Sequence, residues 1–572
     1  MRRRDDSRCD VTKLPTVNVA PAGPAPATDA PWTPHRFRAP ADDGALLVEW
    51  IGGGADASRQ AAAALSDSTL DLQGRSLGRL RGWAREECLR AAAEYTSWLI
   101  DAPVAAPDVA APVFVAGHQP QLFHPGVWVK NFLVGGLVER NGGCGLNLIV
   151  DNDTLSRTGV LAPAGTRETP RFESVNYDEP RPPQPWEDAA IVDAAQFDSF
   201  GERAARRMSA WGIDSVVREM WPDARRVRAA GGRLVDCLVA ARRMQEQRWG
   251  LENLELPVSR ICEQRSFLWF ACHVLAHLPR FTEIHNDVLW EYRRVNRIRS
   301  RSHPVPELGE QDGWLEAPFW VWREGEHHRR HVFARQIGTE IALSDGTAEF
   351  ARIPLGPERE ACCAVEALER LPSQGIRFRT RALTTTLFAR VVLGDLFVHG
   401  IGGAKYDEMT DRIIAQFFGL RPPPFLMATA TLRLPVGAAG RSPGADVSRL
   451  RHSLRDLAYN PDRHSEDVPG TLASQKLELI AAQRAAKSGE LSRSERRARR
   501  GENRRRYLAF RELRSKLAQC AAGEREAIAE QLSQAEQDAA ARSVLASREY
   551  AACLFPVQPL QELFERARTR GL

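Results

Sequence analysis

The stretch that most constrains the fold runs from residue 113 to residue 151, where two short apolar segments flank a longer amphipathic one. Residues 113–116 and 145–151 have the composition of buried strands, and residues 127–140 have helical spacing. A strand, a helix and a strand within fewer than 40 residues form a βαβ unit, whose strands are parallel with a right-handed crossover. The chain is therefore predicted to be an α/β protein with a parallel sheet.

The polar loop that follows the first strand is the first candidate site. It runs from Gly117 through Gln119 to Gly126 and leads directly into the predicted helix. Open α/β sheets bind ligands at the carboxyl ends of their strands, and the free N–H groups of a helix N-terminus favour a phosphate or carboxylate. His118 and His124 lie at the mouth of this turn, where an imidazole meets the ligand. A polar turn without chemistry is the alternative.

Two aspartates end the second predicted strand on the same edge of the sheet. Asp151 and Asp153 are placed there to hold a ribose, an amine or a metal ion. The alternative is that they act as a turn residue and a helix cap.

A glycine-rich turn follows a third apolar element, residues 391–398, and a helix is expected from about Tyr406. Gly402 and Gly403 allow the backbone to approach a ligand closely, and Lys405 supplies positive charge there. The turn matches neither a Walker loop nor the dinucleotide-binding glycine fingerprint.

The segment between these two sites is expected to be an insertion. Residues 200–300 are predicted to be largely helical, and residues 283–299 carry one apolar stripe. His303 follows in an extended, proline-rich segment. Its expected role is that of a general base, and the alternative is a structural histidine. Residues 314–322 and 329–335 are predicted to be strands of a mixed sheet.

The C-terminal region has a different composition. From residue 471 to about residue 550 the chain is rich in Ala, Glu, Arg, Gln and Leu and has no proline, which predicts two long antiparallel helices. The bend is expected at residues 488–494 or 521–523. Residues 492–516 hold eleven basic and three acidic side chains, but solvated arginine-rich helix faces are common and no aromatic ladder accompanies them. Nucleic-acid binding is therefore not expected.

Length and composition limit the number of domains and the kinds of partner, cysteine site and membrane segment that can be expected. A chain of 572 residues has the length of three or four domains, and a net charge of +5 on such a length indicates no particular partner. Its ten cysteines include no C-x-x-C pair, which is typical of reduced thiols and not of a disulfide framework or a zinc site. No apolar run has the length of a membrane helix, and the first residues lack the apolar core of a signal peptide. These features predict a cytoplasmic protein with no membrane contact and no metal centre of its own.

With these segments in view, the chain resembles the bacillithiol biosynthesis cysteine-adding enzymes. The resemblance rests on the order of short motifs over residues 110–560: the loop Gly117-His-Gln-Pro-Gln-Leu-Phe, the segment His303-Pro-Val-Pro-Glu-Leu, Thr380-Arg-Ala-Leu, Gly402-Gly-Ala-Lys-Tyr406 and the late helices. The family loop is typically Gly-Gln-Gln-x-Gly-Leu-Phe-Thr-Gly-Pro. This chain has His118 where the family has Gln, His124 where it has Thr, and Lys405 near an expected acidic residue.

The resemblance implies a Rossmann-like parallel-sheet core with inserted segments and a C-terminal coiled-coil hairpin that supports a homodimer. The predicted divisions of the chain are a disordered Pro/Ala-rich arm (1–43), a helical segment (44–110), the core (111–445, with insertions over about 190–370), the coiled coil (465–550) and a C-terminal segment packed on the core (551–572). It also implies a ligase that joins cysteine to the amine of a sugar-like acceptor.

Amide formation in water needs an activated carboxyl group, which implies ATP or another adenine nucleotide with magnesium. The expected catalytic residues are His118, His124, Asp151, Asp153 and His303. The expected nucleotide-binding residues are Gly117, Gln119, Gly126, Gly402, Gly403, Lys405 and Tyr406. Two alternatives stay open: a nucleotidyltransferase-like enzyme acting on a small substrate, and a non-catalytic coiled-coil interaction protein.

Overall fold

A six-stranded sheet with helices on both faces forms the centre of the protein, which has a mixed α/β fold. The computed structural model describes residue 32 and residues 35–300, 305–437, 447–464, 468–485 and 493–570. From one edge of the sheet to the other, the strands are Leu46–Ile51, Phe425–Ala430, Leu396–His399, Val113–His118, Cys144–Ile149 and Leu254–Pro257. Leu46–Ile51 pairs antiparallel with its neighbour, and the other five strands are parallel.

The predicted βαβ unit is confirmed. The strands Val113–His118 and Cys144–Ile149 pair in parallel, and the helix Pro125–Asn141 connects them. From this unit the chain continues outward to Leu254–Pro257 and later returns on the opposite side through Leu396–His399. The order of the parallel strands therefore reverses between Val113–His118 and Leu396–His399.

The helices surround this sheet and form the C-terminal region. In the described part of the chain they are Ala55–Ser66, Leu77–Ile100, Pro125–Asn141, Ala194–Ser209, Val217–Ala229, Leu234–Arg248, Val258–Cys262, Arg265–Ala276, Leu278–Val295, Cys362–Glu369, Ala382–Phe388, Ile401–Ile413, Val447–Tyr459, Gly470–Ala485, Arg493–Cys520, Ala522–Leu545 and Val557–Arg568. None of them has both the length and the apolar composition that crossing a membrane requires.

A second sheet lies in the inserted segment and is antiparallel throughout, so the prediction of a mixed sheet is wrong. In order, its strands are Glu349–Ile353, Glu340–Ser344, Arg330–Ile337, Trp314–Arg323 and Ile376–Thr380, with Glu310–Gln311 beside Trp314–Arg323. Short connections join the strands from Glu310–Gln311 to Glu349–Ile353, and such connections allow only antiparallel pairing. Two small pairs complete the strands: Thr154–Leu155 with Gln184–Pro185, and Gly159–Gly165 with Pro170–Asn176.

Residues 471–550 contain three helices where two are expected: Gly470–Ala485, Arg493–Cys520 and Ala522–Leu545. The break at Ala521 falls within the second of the two predicted bends. Most of the first, residues 488–494, lies outside the described residues.

Both ends of the described chain pack on the core. The C-terminal helix Val557–Arg568 lies against the helix of the βαβ unit, where the rings of Phe132 and Phe564 stack with centroids 4.1 Å apart. At the other end, Trp32 donates its indole N–H to Glu408. Residues 1–31, 33 and 34, most of the predicted disordered arm, lie outside the described residues. Residues 44–110, expected to be helical, also contribute the edge strand Leu46–Ile51 to the central sheet.

Candidate functional site

A cavity of about 950 Å³ opens at the carboxyl ends of the central strands, where the strand order reverses. This is the position at which open α/β sheets bind ligands. The second sheet covers it from the opposite side. Nine residues that the sequence predicts for the site line its wall: Gly117, His118, Gln119, His124, Gly126, Asp153, Gly402, Gly403 and Tyr406. His399, which precedes the glycine-rich turn, lines it as well.

The N-terminus of the helix Pro125–Asn141 faces the cavity. His124 is its N-cap residue, and its Nδ1 accepts the N–H of Gly126 at 3.1 Å. The ring proton of the neutral imidazole is therefore on Nε2, which lies 3.4 Å from a carboxylate oxygen of Glu549. Proline at the first helical position lacks the N–H group that would be free there.

His118 ends the strand Val113–His118 and is a neutral imidazole. Its Nδ1 lies 3.2 Å from the carbonyl oxygen of Gln119, and its ring meets Phe123 edge to face. Burial, reinforced by the charge of Lys130, lowers the pKa of His118 to about 3. His118 can therefore donate or accept a hydrogen bond at neutral pH, but it does not carry a positive charge.

Lys130 lies one turn into the same helix and points back to the strand. Its ammonium group donates to the carbonyl oxygen of Gly117 at 2.7 Å, and its side chain is 3 % exposed. Burial, reinforced by the charge of Arg242, lowers the pKa of Lys130 to about 7. No carboxylate in the part of the chain that the structure describes forms an ion pair with it.

The neighbouring strand Leu396–His399 and the helix Ile401–Ile413 contribute a buried histidine and a buried aspartate. His399 Nε2 lies 2.8 Å from Asp407 Oδ2, and its ring stacks on Phe397. Arg390 donates to the same Asp407 oxygen at 2.6 Å. Although burial opposes it, Arg390 keeps the pKa of Asp407 below its ordinary value, while burial lowers the pKa of His399. Asp407 therefore stays ionised and orients the ring.

Two arginines and a tryptophan form the roof. The guanidinium groups of Arg329 and Arg381 lie 4.8 and 4.9 Å from the Trp320 ring centroid. Arg381 is held by Glu316, which also lies 2.8 Å from His331. The roof therefore presents two guanidinium groups, each paired with a carboxylate, beside an aromatic surface.

The two aspartates face different surroundings. Asp153 lines the cavity and accepts hydrogen bonds from Gln119 at 3.0 Å and Arg329 at 3.1 Å. Asp151 turns to the other side of the sheet edge, where Ser259 donates to it through its backbone N–H and its hydroxyl group. It lines a separate, smaller pocket with Glu187 and Arg379. Burial raises the pKa of Asp151 to about 7, but the residue does not meet the ligand of the main cavity.

The glycine-rich turn differs from its prediction. A helix begins at Ile401 and not at Tyr406, so Gly402 and Gly403 lie in its first turn. Lys405 is exposed and does not line the cavity. His303 lies outside the described residues. Among those that are described, no group of three His, Cys, Asp or Glu side chains is arranged to hold a metal ion.

No model of a known protein family matches the chain, and comparison with curated proteins finds no match.

Sequence reasoning missed Lys130 and the roof. Lys130 lies in the buried part of its helix, and a basic residue at such a position is the signal that points to it. The roof residues Arg329, Trp320 and Arg381 come from an insertion that folds over the sheet, so their distance from the first loop along the chain hides the contact. Sequence reasoning also missed Arg548, which lines the cavity near Gly126 and donates to the hydroxyl group of Thr429 at 3.2 Å.

The neutral state of His118 leads to a prediction on stability. Below about pH 6.5 the unfolded chain binds a proton on this ring, whereas the folded chain does so only near pH 3. The contribution of His118 to stability is therefore complete above pH 6.5 and is lost as the pH falls. Glutamine does not titrate, so the free energy of unfolding of His118→Gln lacks this loss at low pH. When the pH is lowered from about 7.5 to about 5, we expect it to rise by about 2 kcal/mol relative to the free energy of unfolding of the wild type. Urea unfolding of both proteins at the two pH values measures this, and equal differences at both pH values would contradict it.

Proposed function

We propose that the protein is a carbon–nitrogen ligase of the cysteine-adding type, which joins a carboxylate to the amine of a small acceptor inside the cavity. One observation carries the proposal: a cavity of about 950 Å³, lined by Lys130, Arg329, Arg381 and Arg548, lies at the reversal of the strand order. Its volume is that of a site for a nucleotide-sized ligand, and the guanidinium groups of Arg329, Arg381 and Arg548 can donate to an anionic group there. The order of motifs along the chain supports the reaction type.

The strand order supports the finer description of the fold. Numbered along the chain, the five parallel strands lie in the order 3-2-1-4-5, which is the order of a Rossmann-like sheet. We also propose that the helices Arg493–Cys520 and Ala522–Leu545 form a coiled-coil region that supports a homodimer.

The residues of the cavity suit ATP. A nucleotide would supply the activation of the carboxyl group. The helices that begin at Pro125 and Ile401 direct free N–H groups to the cavity, and Arg548 offers the positive charge expected of Lys405. Asp153 offers an oxygen ligand for the magnesium ion that a nucleotide carries.

The roof suits the second substrate. Arg329 and Arg381 are fixed by Asp153 and Glu316, so they can hold a carboxylate without reorganisation. Trp320 between them offers an aromatic face to a sugar-like or apolar group. The two ends of the cavity would thus hold the activated carboxyl group and the acceptor side by side, which is the main requirement of this reaction.

Thermal unfolding in the presence of ATP, pyrophosphate, cysteine and glucosaminyl-malate tests the proposal, followed by mass spectrometry of the products. A ligand at about 100 times its dissociation constant adds about 2.7 kcal/mol, a clear shift of the transition. We expect stabilisation by ATP with magnesium and an amide product that requires cysteine and acceptor together. Pyrophosphate release without cysteine would favour a nucleotidyltransferase instead. The absence of any shift or product would contradict an enzyme of either type and favour an interaction protein.

A further inference from the structure

We propose that Lys130 is the proton acceptor for the amine that attacks the activated carboxyl group. The inference deepens the proposed function and rests on it, because it assigns a role within the same reaction. Lys130 was not among the residues that sequence reasoning placed in the site.

The geometry places the Lys130 side chain in the wall of the cavity. Its stem lies beside Gly400, where an added Cβ atom would be 4.0 Å from its Cδ, and its amine contacts the carbonyl oxygen of Gly117. It therefore lies between the two strands at which the strand order reverses. A single hydrogen bond to a carbonyl group leaves the amine free to make further contacts in the cavity.

The surroundings favour the neutral amine. The ionisable groups that face Lys130 from the elements packed around it are the imidazoles of His118, His124 and His399 and the guanidinium group of Arg242. The buried acids around these groups are already engaged: Asp407 by Arg390 and His399, and Glu246 and Glu255 by Arg242. Burial, reinforced by the charge of Arg242, therefore lowers the pKa of Lys130 to about 7, and the amine loses its proton near neutral pH.

The composition of the chain makes a lysine at this position informative. There are 78 basic Lys and Arg residues, of which six are lysines, and Lys130 is the only lysine between residues 14 and 404. Arginine does not lose its proton in proteins, whereas lysine can serve as a base when it is buried. Of the Lys and Arg side chains in the described wall, Lys130 is therefore the one that can lose its proton and then accept another.

Four other ionisable groups of the described wall are poor acceptors. His118 is too weak a base, since its pKa is about 3. His124 uses Nδ1 to accept the N–H of Gly126, and His399 is bound to Asp407. Asp153 already accepts hydrogen bonds from Gln119, Arg329 and the backbone N–H of Thr154.

The step balances in atoms and charge. The amine nitrogen of the acceptor forms a bond to the carbonyl carbon, and the bond from that carbon to the oxygen of the leaving group breaks. The proton released by the nitrogen moves to Lys130 Nζ. The positive charge on the lysine thus forms as the leaving group gains its negative charge, and the two charges stabilise each other.

The first test needs no catalysis. Trace acetylation with acetic anhydride at a series of pH values, followed by peptide mass spectrometry, gives the reactivity of each lysine. We expect the reactivity of Lys130 to reach half its maximum near pH 7 and to fall when ATP is bound. Lys405, which is exposed, is the control for labelling. The inference is overturned if the reactivity of Lys130 has not levelled off by about pH 9, or if Lys130 stays unlabelled while Lys405 is labelled.

The second test uses the Lys130→Arg variant, whose side chain is long and basic but always protonated and so cannot accept a proton, with Lys405→Arg as the matched control. We expect kcat for amide formation to fall by about 100-fold or more in Lys130→Arg, while the dissociation constant of ATP changes by less than about threefold. In the wild type, kcat should rise with pH through an apparent pKa near 7. A Lys130→Arg variant with kcat within about threefold of the wild type would overturn the inference.

The outcomes separate the two proposals. If the wild type forms amide but the variant and the pH profile do not behave as described, only the role of Lys130 is wrong. If the wild type forms no amide from any combination of substrates, the ligase proposal is wrong and the role of Lys130 is overturned with it. The acetylation profile is measured on the wild type, so it remains decisive even if the variant does not fold.

Discussion

Arg242→Met is expected to lower the free energy of unfolding by about 3–5 kcal/mol, because it leaves two buried carboxylates without their cation. Glu246 and Glu255 are both fully buried, and Arg242 donates to each of them, at 2.9 Å to Glu246 and at 2.5 Å to Glu255. Methionine fills the space of the arginine stem but neutralises neither charge.

The cluster of Arg242, Glu246 and Glu255 also holds the helix that faces the cavity. Trp128 and Asn131 of the helix Pro125–Asn141 each donate to Glu246 at 2.6 Å. Lys130, which lines the cavity, lies between these two residues in the sequence. A loss of Arg242 should therefore disturb the position of this helix as well as the stability of the chain.

Urea unfolding of the wild type and the variant measures the effect. Arg451→Met is the matched control, because Arg451 forms an exposed ion pair with Glu536 at 2.7 Å. Exposed pairs contribute less than about 1 kcal/mol, so the control should unfold close to the wild type. Equal small changes in both variants would show that the buried cluster does not stabilise the fold.

The sequence predicts the elements whose contacts are local. The apolar runs at residues 113 and 145 and the helix between them give the βαβ unit, and the unit alone places His118, His124 and Asp153 at one edge of the sheet. These positions depend only on the direction of parallel strands, which the right-handed crossover determines.

What the sequence does not predict depends on contacts between distant segments. Asp151 and Asp153 are two residues apart, yet one turns to Ser259 and the other to the cavity, because the chain bends between them at the sheet edge. Arg329 and Arg381 reach the same ring only after the second sheet folds over the first. Lys405 looks like a ligand-binding cation in the sequence, but the helix starts four residues before it and carries it to the surface.

Gly126→Ala is expected to weaken the binding of ATP by about 100-fold, through a displacement of the helix that faces the cavity. A Cβ atom at this position would lie 2.2 Å from the carbonyl oxygen of Ala430, which belongs to the backbone of a central strand. Neither backbone can yield by a rotation of a side chain, so the first turn of the helix must move. The N–H groups of that turn, and the ring of His124 that caps it, would then no longer point to the position of the anion.

Gly82→Ala is the matched control for this substitution. Gly82 lies in the exposed part of the helix Leu77–Ile100, and an added Cβ atom would meet nothing within 4 Å. The same chemical change should there stabilise the protein by about 0.5–1 kcal/mol, because alanine favours the helix over the unfolded chain. Thermal shift titrations with ATP compare the two variants with the wild type. If Gly126→Ala binds ATP as tightly as Gly82→Ala does, the anion is not held by the start of this helix, and the nucleotide would have to bind at the roof, between Arg329 and Arg381.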